Sequence, residues 1–69
     1  MYHVDVDKLN GKIAERRTSK EALADAIGVD RSTLYRRISN GKLLVEDAHK
    51  ISEALSLTKA EAIEIFLAS

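Results

Sequence analysis

Apolar residues recur every three or four positions along most of the chain, which is the spacing of an amphipathic α-helix. Near the N-terminus Val6, Leu9 and Ile13 follow this spacing, and Asp5 stands where a helix needs an N-cap. This helix is expected to end at the cation pair Arg16–Arg17, because positive charge suits the negative end of a helix dipole. No stretch alternates apolar and polar residues with a period of two, so the sequence predicts no sheet.

A second helix is expected to begin at Thr18, because a threonine followed three residues later by Glu21 forms a capping box. Gly28 is expected to end it, since glycine readily adopts the left-handed conformation found at helix C-termini. The buried stripe of this helix is predicted to consist of Ala22, Leu23, Ala26 and Ile27.

Three further helices follow from the same signals. The third opens with Asp30 as its N-cap and is closed by Asn40–Gly41. The fifth opens with a second capping box, from Thr58 to Glu61. The fourth lies between them, over roughly residues 45–55, and its inward positions are predicted to be Val45, Ala48, Ile51 and Leu55. The chain is therefore predicted to be all-α, with one compact five-helix domain over residues 1–69.

Composition narrows the classes of function. A chain of 69 residues without cysteine has room for one small core and for no disulfide or thiolate metal site. His3 and His49 have no partners at ligand spacing, so no metal and no cofactor are expected. Adjacent Glu46 and Asp47 are explained by the start of the fourth helix, where acidic residues suit the dipole. No nucleophile elbow, catalytic triad or nucleotide-binding glycine loop is present, so the chain is predicted not to be an enzyme.

The sequence also indicates a location in the cytoplasm. No apolar run approaches the roughly 18 residues that a membrane span needs. The first residues lack the basic region and the apolar core of a signal peptide. We therefore expect no membrane partner.

Charge is unevenly distributed although the net charge is zero. Residues 16–42 carry seven basic and three acidic side chains, a net of +4, whereas residues 43–69 carry two basic and five acidic side chains, a net of −3. A zero total is unusual for a nucleic-acid binder, but the basic middle of the chain is the electrostatic pattern that such a protein needs. The alternative interpretation is a mixed, solvated surface.

Residues 18–41 follow the pattern of a helix-turn-helix motif, with Ala24, Gly28 and Leu34 at the required spacing. At ~100° per residue, the third helix turns Leu34 inward and a polar set outward. Arginine can donate two hydrogen bonds to guanine, and serine can pair with several base edges. The alternative is a surface helix with solvated arginines. The expected DNA base contacts are Arg31, Ser32, Tyr35 and Arg36.

This segment resembles the helix-turn-helix of the phage repressor and Cro family, of the XRE type, and residues 55–66 resemble the last two helices of small regulators from phages of Gram-positive bacteria. The resemblance implies a lambda-repressor-like domain of five helices that binds operator DNA as a dimer. It also implies that the start of the second helix and the loop after the third contact phosphates. The expected phosphate contacts are Arg17, Lys20, Thr33, Arg37, Asn40 and Lys42.

The C-terminal helix carries more apolar residues than one face can bury. The cluster consists of Ile63, Ile65, Phe66 and Leu67. One interpretation is a dimer interface formed by Ile63, Phe66 and Leu67. The other is that all of them pack on the small core or are covered by Tyr2 and Val4.

Three hypotheses of function follow from these features. The favoured one is a homodimeric transcriptional regulator of a phage or prophage, of the Cro or repressor type, that binds a double-stranded operator. The second is an antirepressor that retains the fold but binds a phage repressor protein instead of DNA. A third possibility, the N-terminal domain of a longer repressor, leaves the DNA site unchanged.

Overall fold

The computed structural model describes residues 4–67. Within that range it contains no strand, which confirms the all-α prediction. No helix in it is long and apolar enough to cross a membrane. The five helices are α1 (Val6–Glu15), α2 (Lys20–Ile27), α3 (Arg31–Ser39), α4 (Val45–Ala54) and α5 (Lys59–Phe66).

Three of the predicted N-caps are confirmed. The side chain of Asp5 accepts a hydrogen bond from the backbone N–H three residues on, at 3.1 Å, and Asp30 accepts one from two residues on, at 3.0 Å. Thr58 and Glu61 form a complete capping box, in which each side chain accepts from the other residue's backbone N–H. These bonds satisfy N–H groups that the first helical turn leaves without partners.

The capping box predicted at Thr18 and Glu21 is wrong. Ser19 is the N-cap of α2, and its hydroxyl accepts from the N–H of Ala22 at 3.1 Å. Thr18 is still engaged in ending α1, because its N–H donates to the carbonyl of Ile13 at 3.1 Å. The second helix therefore begins one residue later than the sequence pattern indicates.

All five helices contribute to one core, with α2 packed against both α3 and α4, and α5 packed against α1 and α4. Ala24 is buried because it lies between Leu23 and Ile27 on the inner face of α2. Its small side chain allows neighbouring helices to approach closely. The buried apolar residues are Leu9, Ile13, Leu23, Ala24, Ile27, Leu34, Ile38, Ile51, Leu55 and Ile65.

Four positions predicted on buried helix faces are exposed. Ala22 and Ala26 lie on the outer side of α2, since the inward stripe passes through Ala24 instead. Val6 is 36% exposed and Val45 is 88% exposed. Both valines are the first residue of their helix, where the element projects beyond the core it packs against.

The turn between α2 and α3 is made by Gly28, which has φ 77° and ψ 29°. A Cβ atom at this position would meet nothing within 4 Å, so the left-handed backbone rather than lack of space favours glycine. The N–H of Val29 then donates to the carbonyl of Ala24 at 3.0 Å, which closes the end of α2. This turn sets the direction in which α3 leaves the core.

Helices α1 and α5 are joined by polar contacts at both ends of their interface. The N–H of Asp5 donates to the carbonyl of Ile65 at 2.7 Å. Lys12 lies between two carboxylates, pairing with Glu15 at 2.9 Å and also with Glu61. The Lys12 ammonium and the Thr58 backbone N–H lower the pKa of Glu61 from 4.5 to about 2.

Acid sensitivity follows from the lowered pKa of Glu61. The stabilisation by the ionised carboxylate is fully present above the unfolded pKa and is lost as the pH falls from about 4.5 to about 2. We expect Glu61→Gln to lose less stability than wild type over this interval in urea unfolding. Glu64→Gln, an exposed change on the same helix, should behave like wild type. Equal acid sensitivity of wild type and Glu61→Gln would contradict the role of this pair.

Candidate nucleic-acid interface

Helix α3 divides cleanly into a buried face and an exposed face. Leu34 has no exposed surface and Ile38 is 6% exposed, so this side is anchored in the core. The four predicted base-contacting side chains all lie on the exposed side, at spacings of three and four residues that place them on one face. Those residues are Arg31, Ser32, Tyr35 and Arg36.

Lys20 links the start of α2 to this face of α3. Its ammonium lies 5.3 Å from the centre of the Tyr35 ring, within the range of a cation–π contact. Tyr35 itself is 38% exposed. The contact brings a predicted phosphate-contacting cation next to a predicted base-contacting side chain, which fits a single binding surface.

Arg31 is paired across the turn with Glu21 of α2, at 2.8 Å. Their side chains are 58% and 64% exposed, so water screens the pair and it contributes little to stability. Because the pair is weak, the guanidinium can exchange Glu21 for another acceptor at low cost. No local sequence pattern predicts this pair, because ten positions separate the two residues.

Ser32 is joined to the N-cap of its own helix. Its backbone N–H donates to Asp30 Oδ2 at 3.0 Å, and its hydroxyl donates to the same oxygen. These two hydrogen bonds from Ser32, with one from the backbone of Thr33, lower the pKa of Asp30. The carboxylate therefore stays ionised and accepts hydrogen bonds at the start of α3.

Three other cations from the basic middle of the chain are exposed. Arg17, Arg36 and Lys42 form no ion pair among residues 4–67. The loop after α3 is ordered by Asn40, whose Oδ1 accepts from the backbone N–H of Lys42 at 2.9 Å. This bond leaves the Asn40 amide N–H groups available as donors. Thr33 is half-buried near the start of α3.

Arg37 forms an ion pair that the sequence pattern does not predict. Its guanidinium pairs with Asp47 at 2.8 Å, and the same carboxylate oxygen accepts from the backbone N–H of Leu44 at 3.3 Å. The Asp47 side chain is only 8% exposed and that of Arg37 is 30% exposed. The pair joins the end of α3 to the start of α4, and Asp47 has a specific partner in addition to a favourable dipole position.

An apolar groove runs between α4 and α5 and is bordered by Val4 and the α3–α4 loop. Its most exposed apolar members are Val45, at 88%, and Leu44, at 52%. Ile63 of α5 and Leu67, the residue that follows α5, are 49% and 48% exposed. Tyr2, which the alternative interpretation places over this cluster, lies outside the described residues.

The C-terminal cluster is thus split between the core and the surface. Ile65 is 2% exposed and packs inward, and Phe66 is half-buried against the core. Ile63 and Leu67 both line the groove.

The fold and this basic face define a small DNA-binding regulatory domain built on a helix-turn-helix motif. The helix-turn-helix family model matches residues 12–61, and the chain belongs to this family, of the XRE type. Its members are DNA-binding regulators and are generally not enzymes. Searches of curated proteins and of solved structures found no match to the chain.

Proposed function

We propose that the chain is a sequence-specific regulator of transcription, of the Cro or repressor type found in phages and prophages, and that it binds double-stranded operator DNA in the bacterial cytoplasm. The observation that supports this proposal is the division of α3 into a buried side and an exposed side. Leu34 and Ile38 anchor one side, and the other side presents two arginines, a serine and a tyrosine to solvent. The major groove of DNA is wide enough to admit an α-helix, and these side chains can pair with the base edges there.

The contacts divide into those that specify and those that position. Arg31, Ser32, Tyr35 and Arg36 are proposed to contact bases. Phosphates are contacted at both ends of this face, by Arg17, Lys20 and Thr33 on one side and by Arg37, Asn40 and Lys42 on the other. Arg37 keeps N–H groups beyond the one on Asp47, so it can contact a phosphate while holding the loop in place.

The proposed assembly is a homodimer that uses the apolar groove. Ile63, Phe66 and Leu67 form its centre at the C-terminal end of α5, and Leu44 and Val45 extend it onto the start of α4. Four large apolar side chains exposed on one groove suit burial against a second copy. The α3 helices of the two copies are the recognition helices. They enter successive major grooves about one turn of the DNA double helix apart. Occupancy of the operator blocks polymerase or a competing repressor.

A second function is favoured by the acidic side chains of α4 and α5. Exposed Glu46, Glu53 and Glu64 lie outside the DNA-facing helices, and Glu21 neutralises one of the arginines of α3. An antirepressor with this fold would use the acidic side to bind a basic repressor protein. It would need no operator of its own.

A salt titration separates the two functions. Operators are selected from random duplexes, and affinity is measured over a range of salt concentrations. A DNA regulator shows a selected sequence and a steep linear fall of log K with log salt. A chain that selects no sequence at any salt, but binds a phage repressor protein, would establish the antirepressor.

Base contact and phosphate contact are distinguished by two single variants. Arg36→Ala should weaken binding to the selected operator by about 1–3 kcal/mol and relax the preference at one base pair. Lys20→Ala should weaken all sequences alike and flatten the salt slope by about one unit. Lys8→Ala removes an exposed cation of α1 and should change both quantities less. Equal losses on selected and random DNA in the Arg36 variant would show that α3 does not read sequence.

A further inference from the structure

The start of the recognition helix offers hydrogen-bond acceptors, although the rest of its exposed face offers donors. Asp30 has an ionised carboxylate, and Ser32 uses its only hydroxyl proton on that carboxylate. The backbone N–H of Ser32 is occupied by the same oxygen at 3.0 Å. A hydroxyl has one proton and two lone pairs, so Ser32 Oγ can then only accept.

Exposure makes this acceptor available to DNA. Ser32 and Asp30 are both exposed, and Ser32 shares the outward face with Arg36, four positions along the helix. An ionised carboxylate is a stronger acceptor than any base edge, so the Ser32 hydroxyl keeps donating to Asp30 when a neutral base approaches. Serine alone would pair with donors and acceptors alike. The Asp30–Ser32 hydrogen bond removes that ambiguity.

We infer that Ser32, oriented by Asp30, selects an exocyclic amino group in the major groove, which is the N4 amino group of cytosine or the N6 amino group of adenine. These are the groups that donate there, whereas guanine N7 and O6 and thymine O4 accept. The inference rests on the proposed function, since it names the chemistry that one residue of that surface reads. Ser32 is the contacting residue and Asp30 is a positioning residue.

The donor side chains and the acceptor side chain are suited to different base pairs of a half-site. Arg31 and Arg36 are pure donors and are suited to guanine N7 and O6. Ser32 is an acceptor at the N-terminal edge of the same face. The operator should therefore contain, in each half-site, one position recognised through an amino group beside positions recognised through purine acceptors.

Base analogues test this inference on the selected operator. Each adenine is replaced in turn by purine, and each cytosine by 2-pyrimidinone, which removes one amino group at a time and distinguishes the two bases. Separate duplexes carry 7-deazaadenine or 7-deazaguanine, which remove the N7 acceptor. We expect one amino deletion per half-site to weaken wild-type binding by about 5- to 100-fold.

The same duplexes are then measured with variants. In Ser32→Ala the penalty for that amino deletion should disappear, while the 7-deaza penalties remain, because a double-mutant cycle isolates the contact. Asp30→Gly, a change that helix N-caps tolerate, removes the acceptor of the hydroxyl proton. It should reduce the penalty, because the freed hydroxyl can then also donate to base acceptors. Ser39→Ala, an exposed serine at the other end of α3, should leave every penalty unchanged. Circular dichroism verifies that each variant is folded.

Three outcomes would overturn the inference. One is an amino-deletion penalty that persists in Ser32→Ala. Another is a Ser32→Ala variant that instead loses sensitivity to the 7-deaza analogues, which would mean that the hydroxyl donates. Failure of the wild-type chain to select any DNA would overturn the proposed function as well, so the two failures are distinguishable.

Discussion

Leu34→Ala is expected to lower the free energy of unfolding by about 2–5 kcal/mol, from lost burial and the cavity that remains. Leu34 has no exposed surface and lies where α3 meets the core. A chain of 69 residues has a total stability of roughly 3–10 kcal/mol at the usual contribution per residue. The substitution should therefore remove a large fraction of the total stability.

Urea unfolding followed by circular dichroism measures this loss. Leu34→Met keeps the volume and should cost less than about 1.5 kcal/mol, so it remains folded if the alanine variant does not. Tyr35→Ala, the exposed neighbour, should stay within about 0.5 kcal/mol of wild type. A loss below about 0.5 kcal/mol in Leu34→Ala, well under the ordinary cost of a buried leucine, would contradict its place in the core.

Replacing Ile63 and Leu67 together with lysine is expected to convert a dimer into a folded monomer. Both side chains line the groove and are about half exposed, so the core does not depend on them. Two ammonium groups facing their copies in a second chain would repel one another and remain hydrated. Operator affinity should fall by about a hundredfold or more, because the second recognition helix no longer binds intramolecularly.

Sedimentation at micromolar concentration and operator titration measure the two effects. The matched control is Ala14→Lys with Ala60→Lys, which adds the same charge at exposed positions outside the groove. It should remain dimeric and should bind the operator at least as well as wild type. A wild-type monomer whose behaviour the groove variant leaves unchanged would eliminate the proposed interface and favour the antirepressor.

Much of the fold could be predicted because its signals act over three or four residues. The helix N-caps Asp5, Asp30 and Thr58 bond to groups within their own first turn. The outward face of α3 could be predicted for the same reason, since a helical period relates its members. Gly28 indicated the turn, because few other residues adopt its backbone conformation without an energetic cost.

Other features could not be predicted because they depend on how neighbouring helices meet. Thr18 and Ser19 are both suitable caps, and the choice depended on which backbone groups were needed to end α1. The buried stripe of α2 passes through Ala24 because α3 and α4 pack on that side.

The five helices and the helix-turn-helix motif follow from the amino-acid sequence alone, because capping and periodicity are local properties of the chain. The contacts between helices fix how the side chains of that motif are paired. Arg37 pairs with Asp47 and Arg31 with Glu21, each across ten positions. The fold therefore determines which arginines are held in ion pairs and which remain available for other contacts. Such pairings depend on where helices come to rest against each other, and no local pattern specifies that position.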